Sequence, residues 1–128
     1  MQALASFGWV FLGGGIGSAL RYGVGRIAFI LVGPNFPAGT LAVNVIGCVA
    51  MGVLIESLAL REGGVDAATR LFLTTGVLGG FTTFSAFALD AAVLWERGPA
   101  TTAVLYVLAS VVLSIAGLFG GMAIIRAA

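Results

Sequence analysis

Four long apolar stretches, each about as long as a membrane crossing, constrain this chain more than any other feature. They cover residues 4–32, 39–58, 71–95 and 101–125. A transmembrane helix requires about 20 mostly apolar residues. All three prolines, Pro34, Pro37 and Pro99, lie between these stretches, where residues that break helices are expected. We therefore predict an all-α membrane protein, with four transmembrane helices in one domain over residues 1–128.

The composition supports a location in the lipid bilayer and excludes several functions. Charged residues make up 9% of the chain, whereas soluble domains carry about 25%. The net charge of +1 gives no reason to expect a nucleic acid partner. The absence of histidine and the single cysteine argue against a transition-metal site within one chain. The sequence has no phosphate-binding glycine–lysine loop, and we do not predict an enzyme.

The arginines are distributed almost evenly between the two sides of the predicted membrane domain. Four crossings place both termini on one side. The arginines on that side are Arg61, Arg70 and Arg126. Those on the other side are Arg26 and Arg97, and also Arg21 if it lies near that end. The positive-inside rule depends on an excess on one side. Either these arginines only mark helix ends, or the chain inserts in both orientations; the sequence favours neither orientation.

Small residues predict close packing between the helices. The chain has 20 glycines, and three pairs have GxxxG spacing: Gly13/Gly17, Gly76/Gly80 and Gly117/Gly121. Such pairs allow helix backbones to approach closely in lipid. We expect each pair to pack within the bundle. Four helices are too few to enclose both a core and a pore, so a transport function would require an oligomer.

The third apolar stretch contains the densest polar cluster and a weak point in the helix. Gly79 and Gly80 are followed by Thr82 and Thr83. Glycine leaves the backbone mobile, and an unwound turn inside a membrane is tolerated only where protein or a cavity covers it. Interrupted helices of this kind hold ions in transporters. We predict that the third helix is interrupted in mid-membrane within residues 79–87; the alternative is a packing kink at the glycine pair.

Polar residues also occur in the second and fourth stretches. Asn44 is interpreted either as a hydrogen-bond partner of another helix or as a donor to an anion, and its position favours neither. Tyr106, Ser110 and Ser114 recur at every fourth position and share one helical face. The acidic residues Glu56, Asp90 and Glu96 are interpreted as charges at helix ends or at the interface, where nearby arginines are available as partners; the sequence does not show whether they have a role.

Phe84 and Phe87 are three positions apart and share a helical face. Such a pair is most often packing, but an aromatic ring has a positive edge that can hold a small anion. A site of ring edges, hydroxyls and an amide can replace the hydration shell of an ion and still release it. The pattern is therefore consistent with a neutral anion pathway.

Three motifs in three different stretches resemble the CrcB/Fluc fluoride channel family. They are GGIGSALRY at 14–22, GTLAVN at 39–44 and GGFTTFSAF at 79–87. The resemblance implies a fluoride-selective channel in the bacterial inner membrane that exports cytoplasmic fluoride passively and so reduces its toxicity. It also implies an antiparallel, dual-topology homodimer with two pores.

The resemblance further implies roles for individual residues. The implied fluoride pathway consists of Asn44, Phe84, Phe87, Thr40, Thr83, Ser85, Tyr106, Ser110 and Ser114. Arg21 would lie near the pore vestibule. The backbone carbonyls of Gly79 and Thr82 from both chains would hold a structural sodium ion. Ala86 departs from the family pattern, which commonly has threonine between serine and phenylalanine.

Two other functions remain as alternatives. One is a proton-coupled exporter of small cations, which is also a four-helix, dual-topology dimer. It requires a carboxylate in its first helix, and residues 4–32 contain no aspartate or glutamate. The other is a subunit that does not transport, in which the polar residues only join helices together.

Overall fold

The computed structural model describes residues 1–61 and 63–128, and these residues form helices and short connections. Four helical regions are long and apolar enough to cross a membrane. We name the helices α1 (Gln2–Val32), α2 (Ala38–Ala59), α3 (residues 67–81), α4 (Phe84–Arg97) and α5 (Ala100–Ala127). Helices α3 and α4 together form the third region, Ala67–Arg97. Each of the four predicted stretches lies inside one of these regions, and the all-helical prediction is confirmed.

The third region is interrupted three residues after Gly79. Helix α3 consists of Ala67–Leu71, a π-helical segment Phe72–Leu78, and a last turn Gly79–Phe81. Gly79 itself is helical, with φ −64° and ψ −38°. Thr82 and Thr83 are extended, with ψ values of 160° and 118°. The glycine pair therefore does not unwind, and the two threonines after it separate α3 from α4.

Close packing between α1 and α3 requires glycine at several positions of α3, although the helix does not unwind there. Helices α1 and α3 cross with Gly13 against Gly76, where an added Cβ at either position would lie 2.9 Å from the Cα of the other. A Cβ at Gly80 would lie 2.5 Å from the carbonyl oxygen of Gly14. The prediction that these GxxxG pairs pack within the bundle is confirmed. The pair Gly117/Gly121 packs in the same way against Val49 of α2.

The helices are neighbours in the order α3, α1, α2, α5, with α4 also packed on α5. Arg126 at the end of α5 forms an ion pair with Glu56 near the end of α2, with 3.0 Å between Nη2 and Oε2. This contact confirms that Glu56 is paired with an arginine. Because α2 and α5 lie side by side and α4 packs on α5, the polar residues of three helices come together at the interruption.

Candidate functional site

A cavity of about 300 Å³ lies between α2, the start of α4 and the middle of α5, beside the interruption. Six of the nine residues predicted for the fluoride pathway line it: Asn44, Thr83, Phe84, Phe87, Ser110 and Ser114. Cys48, Thr82, Val111 and Ile115 complete its wall. Its surface combines hydroxyls, one amide and aromatic rings. No side chain in this wall carries a formal charge.

Asn44 holds the interrupted backbone in place. Its Nδ2 donates to the carbonyl oxygen of Thr83 at 3.0 Å, and its Oδ1 accepts from the Thr83 amide at 2.8 Å. These two bonds replace those that a continuous helix would have given Thr83. The interpretation of Asn44 as a partner of another segment is confirmed. Its carboxamide has two N–H groups, so donation to an anion by the second stays a prediction.

The Thr83 side chain starts helix α4. Its Oγ1 accepts from the backbone amide of Ala86 at 3.2 Å, as N-cap hydroxyls commonly do. It also lies 3.4 Å from Oγ of Ser85. Ala86 contributes only its backbone amide to this bond, so alanine in place of the family's threonine leaves the cap intact. Ser85 is exposed and is not in the cavity wall, but Thr83 connects it to the site.

The hydroxyl groups of Ser110 and Ser114 on α5 line the cavity. Both Oγ atoms are buried, and neither has a hydrogen-bond partner among the described residues. A serine in a membrane helix usually bonds the carbonyl four residues earlier. A buried hydroxyl that lacks a partner is unfavourable by about 1–3 kcal/mol. Because both serines face the cavity, a bound ion or water would satisfy them.

The two phenylalanines are close to each other in the cavity wall. Their ring centroids are 5.4 Å apart with an interplanar angle of 60°. Phe87 is buried, whereas Phe84 is 79% exposed. A ring that is largely uncovered within an apolar span is available to a neighbouring molecule.

Tyr106 and Thr40 lie outside this cavity, towards a second one. Tyr106 is buried, and its ring lies 5.6 Å from that of Phe87. Its hydroxyl donates to Oδ2 of Asp90 at 3.2 Å. Thr40 and Asp90 line the second cavity, which has about 330 Å³. The predicted pathway residues therefore form two groups, joined by the contact between Phe87 and Tyr106.

Asp90 is a polar residue whose role the sequence leaves open. Its hydrogen bond joins it to Tyr106 and not to an arginine. The available signal was its spacing, because Phe84, Phe87 and Asp90 are each three residues apart and share a face of α4.

Of the two residues predicted to hold sodium, Thr82 lies in the interruption and Gly79 lies in the last turn of α3, and Arg21 contacts Thr82. Nη1 of Arg21 donates to the Thr82 carbonyl oxygen at 3.4 Å, which is a long bond. The Thr82 amide donates to Leu78, and the Thr83 amide donates to Asn44. Neither amide therefore binds the Gly79 carbonyl. Gly79 is exposed, and a Cβ built there would meet nothing closer than 3.6 Å.

Comparison with known proteins identifies the family. The model described as "CrcB-like protein, Camphor Resistance (CrcB)" matches residues 8–122. A Rhizobium etli protein named "Fluoride-specific ion channel FluC" is 57% identical over 118 residues, which are 92% of this chain and 94% of the relative. Proteins of the same name from Paracoccus denitrificans and Methylobacterium nodulans are 58% and 54% identical over 117 residues. These alignments cover 91% of this chain, and 91% and 93% of the two relatives. The resemblance inferred from the three motifs is confirmed, and the chain belongs to the CrcB family.

Proposed function

We propose that this protein is a fluoride-selective ion channel that exports cytoplasmic fluoride down its electrochemical gradient. The observation that carries the proposal is the pair of buried serine hydroxyls without a partner, Ser110 and Ser114, which face a cavity also lined by Phe84 and Phe87. Relatives at 54–58% identity are named fluoride-specific ion channels. That name describes a transport protein and not an enzyme, and it does not support the exporter alternative.

Neutral groups suit a channel better than charged ones. A small anion enters only if its hydration shell is replaced, and it leaves quickly only if it is held weakly. Hydroxyls, a carboxamide N–H and the positive ring edges of Phe84 and Phe87 can share this task. Hydrogen fluoride enters cells as a neutral acid and ionises in the less acidic cytoplasm. A membrane potential of about 100 mV then drives the anion out with about 2.3 kcal/mol per charge.

A single chain leaves the site partly uncovered, so we propose an antiparallel, dual-topology homodimer in the bacterial inner membrane. Phe84 in the cavity wall, Ser85 beside it and Gly79 in the last turn of α3 are all exposed. A second chain would cover these groups. The near-equal distribution of arginines is compatible with insertion in both orientations. The interrupted backbone would then lie at membrane depth within protein, where a non-helical segment is tolerated.

We further propose that backbone carbonyls of Gly79 and Thr82 from the two chains hold a structural sodium ion. Oxygen ligands suit a hard cation; Gly79 is exposed, and its carbonyl is not bonded by the Thr82 or Thr83 amide. The residues therefore fit the ion, although Arg21 shares the Thr82 carbonyl. When bound, sodium would supply positive charge between the chains. Arg21 would keep the carbonyl of Thr82 oriented and contribute to the vestibule.

Fluoride efflux from liposomes that contain the purified protein tests the main proposal. We expect rapid fluoride efflux and little chloride efflux. Ser110→Ala should slow fluoride efflux, because it removes a hydroxyl that faces the cavity. Ser57→Ala is the matched control, since Oγ of Ser57 already bonds the Val53 carbonyl at 2.7 Å in α2. Equal efflux of chloride and fluoride would refute the selectivity.

The same preparation tests the two alternatives. Proton movement that depends on an organic cation would support the exporter. A Phe84→Ile protein that forms normal dimers but conducts no fluoride would exclude a subunit that only joins helices together.

A further inference from the structure

Cys48 is the chain's single thiol, and it lies in the wall of the cavity. It follows Asn44 by four residues on α2, so the two side chains share one helical face. Cys48 is partly buried and has no disulfide partner in the described chain. The thiol is therefore positioned among the groups that we assign to the anion pathway.

Ser110, which lines the same cavity as Cys48, presents a hydroxyl that a solute in this space would satisfy. Ser110 is only 5% exposed, and its Oγ lacks a hydrogen-bond partner within residues 1–61 and 63–128. Such a hydroxyl normally binds a ligand or an ordered water. One water requires only about 10–15 Å³ of accessible space, and the cavity has about 300 Å³. A small solute that binds Ser110 would therefore share this cavity with the thiol.

We propose that Cys48 is a modification site of the anion cavity, at which small thiol-reactive electrophiles attach and obstruct ion passage. This inference rests on the proposed function. With methyl methanethiosulfonate, the thiolate attacks the sulfenyl sulfur and forms a new S–S bond. The S–S bond of the reagent breaks, methanesulfinate leaves with the electron pair, and the thiol proton passes to the buffer. The added methylthio group then occupies space between Asn44 and Ser110.

The test treats the protein in liposomes with methyl methanethiosulfonate and measures both the mass of the chain and fluoride efflux. We expect one methylthio group per chain, loss of efflux, and recovery of both on addition of dithiothreitol. Cys48→Ser should gain no mass, and its efflux should equal that before treatment.

A matched control moves the thiol to another face of the same helix. Ile46 is 53% exposed and is not in the cavity wall. Ile46→Cys in the Cys48→Ser background should gain the methylthio group without losing efflux, relative to the same protein before treatment.

Two results would overturn the proposal. One is a fully modified Cys48 with unchanged efflux, which would place the thiol outside the pathway. The other is modification only after denaturation, which would show that the cavity does not admit solutes to it. An untreated protein that conducts no fluoride would refute the proposed function. The mass measurement would still decide whether Cys48 is open to solutes.

Discussion

Replacing Asn44 with alanine should destabilise the protein because it removes both hydrogen bonds that hold Thr83. The substitution leaves the Thr83 amide and carbonyl without the partners seen at 2.8 and 3.0 Å. Two unsatisfied backbone groups at about 1–3 kcal/mol each would lower the free energy of unfolding by about 2–6 kcal/mol. Thr83 lines the cavity, and water there can hydrate part of it. We therefore expect the lower end, about 2 kcal/mol.

The stability assay is reversible unfolding in mixed micelles, followed by the fluorescence of the two tryptophans, Trp9 and Trp95. Fluoride efflux is measured on the same variant and should fall as well, because Thr83 positions the start of α4 with Phe84. Asn44→Asp is a second variant that keeps an acceptor for the Thr83 amide but has no donor for its carbonyl.

The Asn44→Asp protein should also be destabilised, since its carboxylate would face the Thr83 carbonyl oxygen. An Asn44→Ala protein with unchanged unfolding free energy would refute the claim that these bonds stabilise the interruption. Loss of efflux without loss of stability would instead favour direct donation from Asn44 to the ion.

Three other substitutions test separate parts of the fold and the site. Gly17→Ala should reduce stability and dimer yield, because its Cβ would collide with the α3 backbone, whereas Gly15→Ala meets nothing within 4 Å and should be tolerated in a thermal unfolding assay. Glu56→Gln should change the unfolding free energy by less than about 1 kcal/mol, because Arg126 is 60% exposed to water and the glutamine oxygen that replaces the 13% exposed carboxylate can still accept its hydrogen bond; a larger loss would contradict this reasoning. Tyr106→Phe should leave folding intact but slow fluoride efflux from liposomes, since it removes the hydroxyl that donates to Asp90. Unchanged efflux would show that this hydroxyl is not part of the fluoride pathway.

Much of the site could be anticipated from spacing along single helices. Ser110 and Ser114 share a face because they are four residues apart in one continuous helix, and the structure places both in the cavity. Tyr106 belongs to the same series, yet it lies beyond the cavity and bonds Asp90. The choice between these surroundings depends on where α4 packs on α5, and periodicity within α5 contains no information about that.

Hydropathy and the three prolines were sufficient to locate the helices. The energetic cost of unpaired backbone groups in lipid permits few alternatives to a helix of about 20 residues. The position of the interruption required contacts between helices. Gly79 and Gly80 stay helical, and Thr83 is extended, with its backbone bonded to a residue 39 positions earlier. A glycine pair shows where a helix is weak or closely packed. The helix is interrupted, however, where another segment can bond the freed amide and carbonyl. Here the Asn44 carboxamide bonds both groups of Thr83.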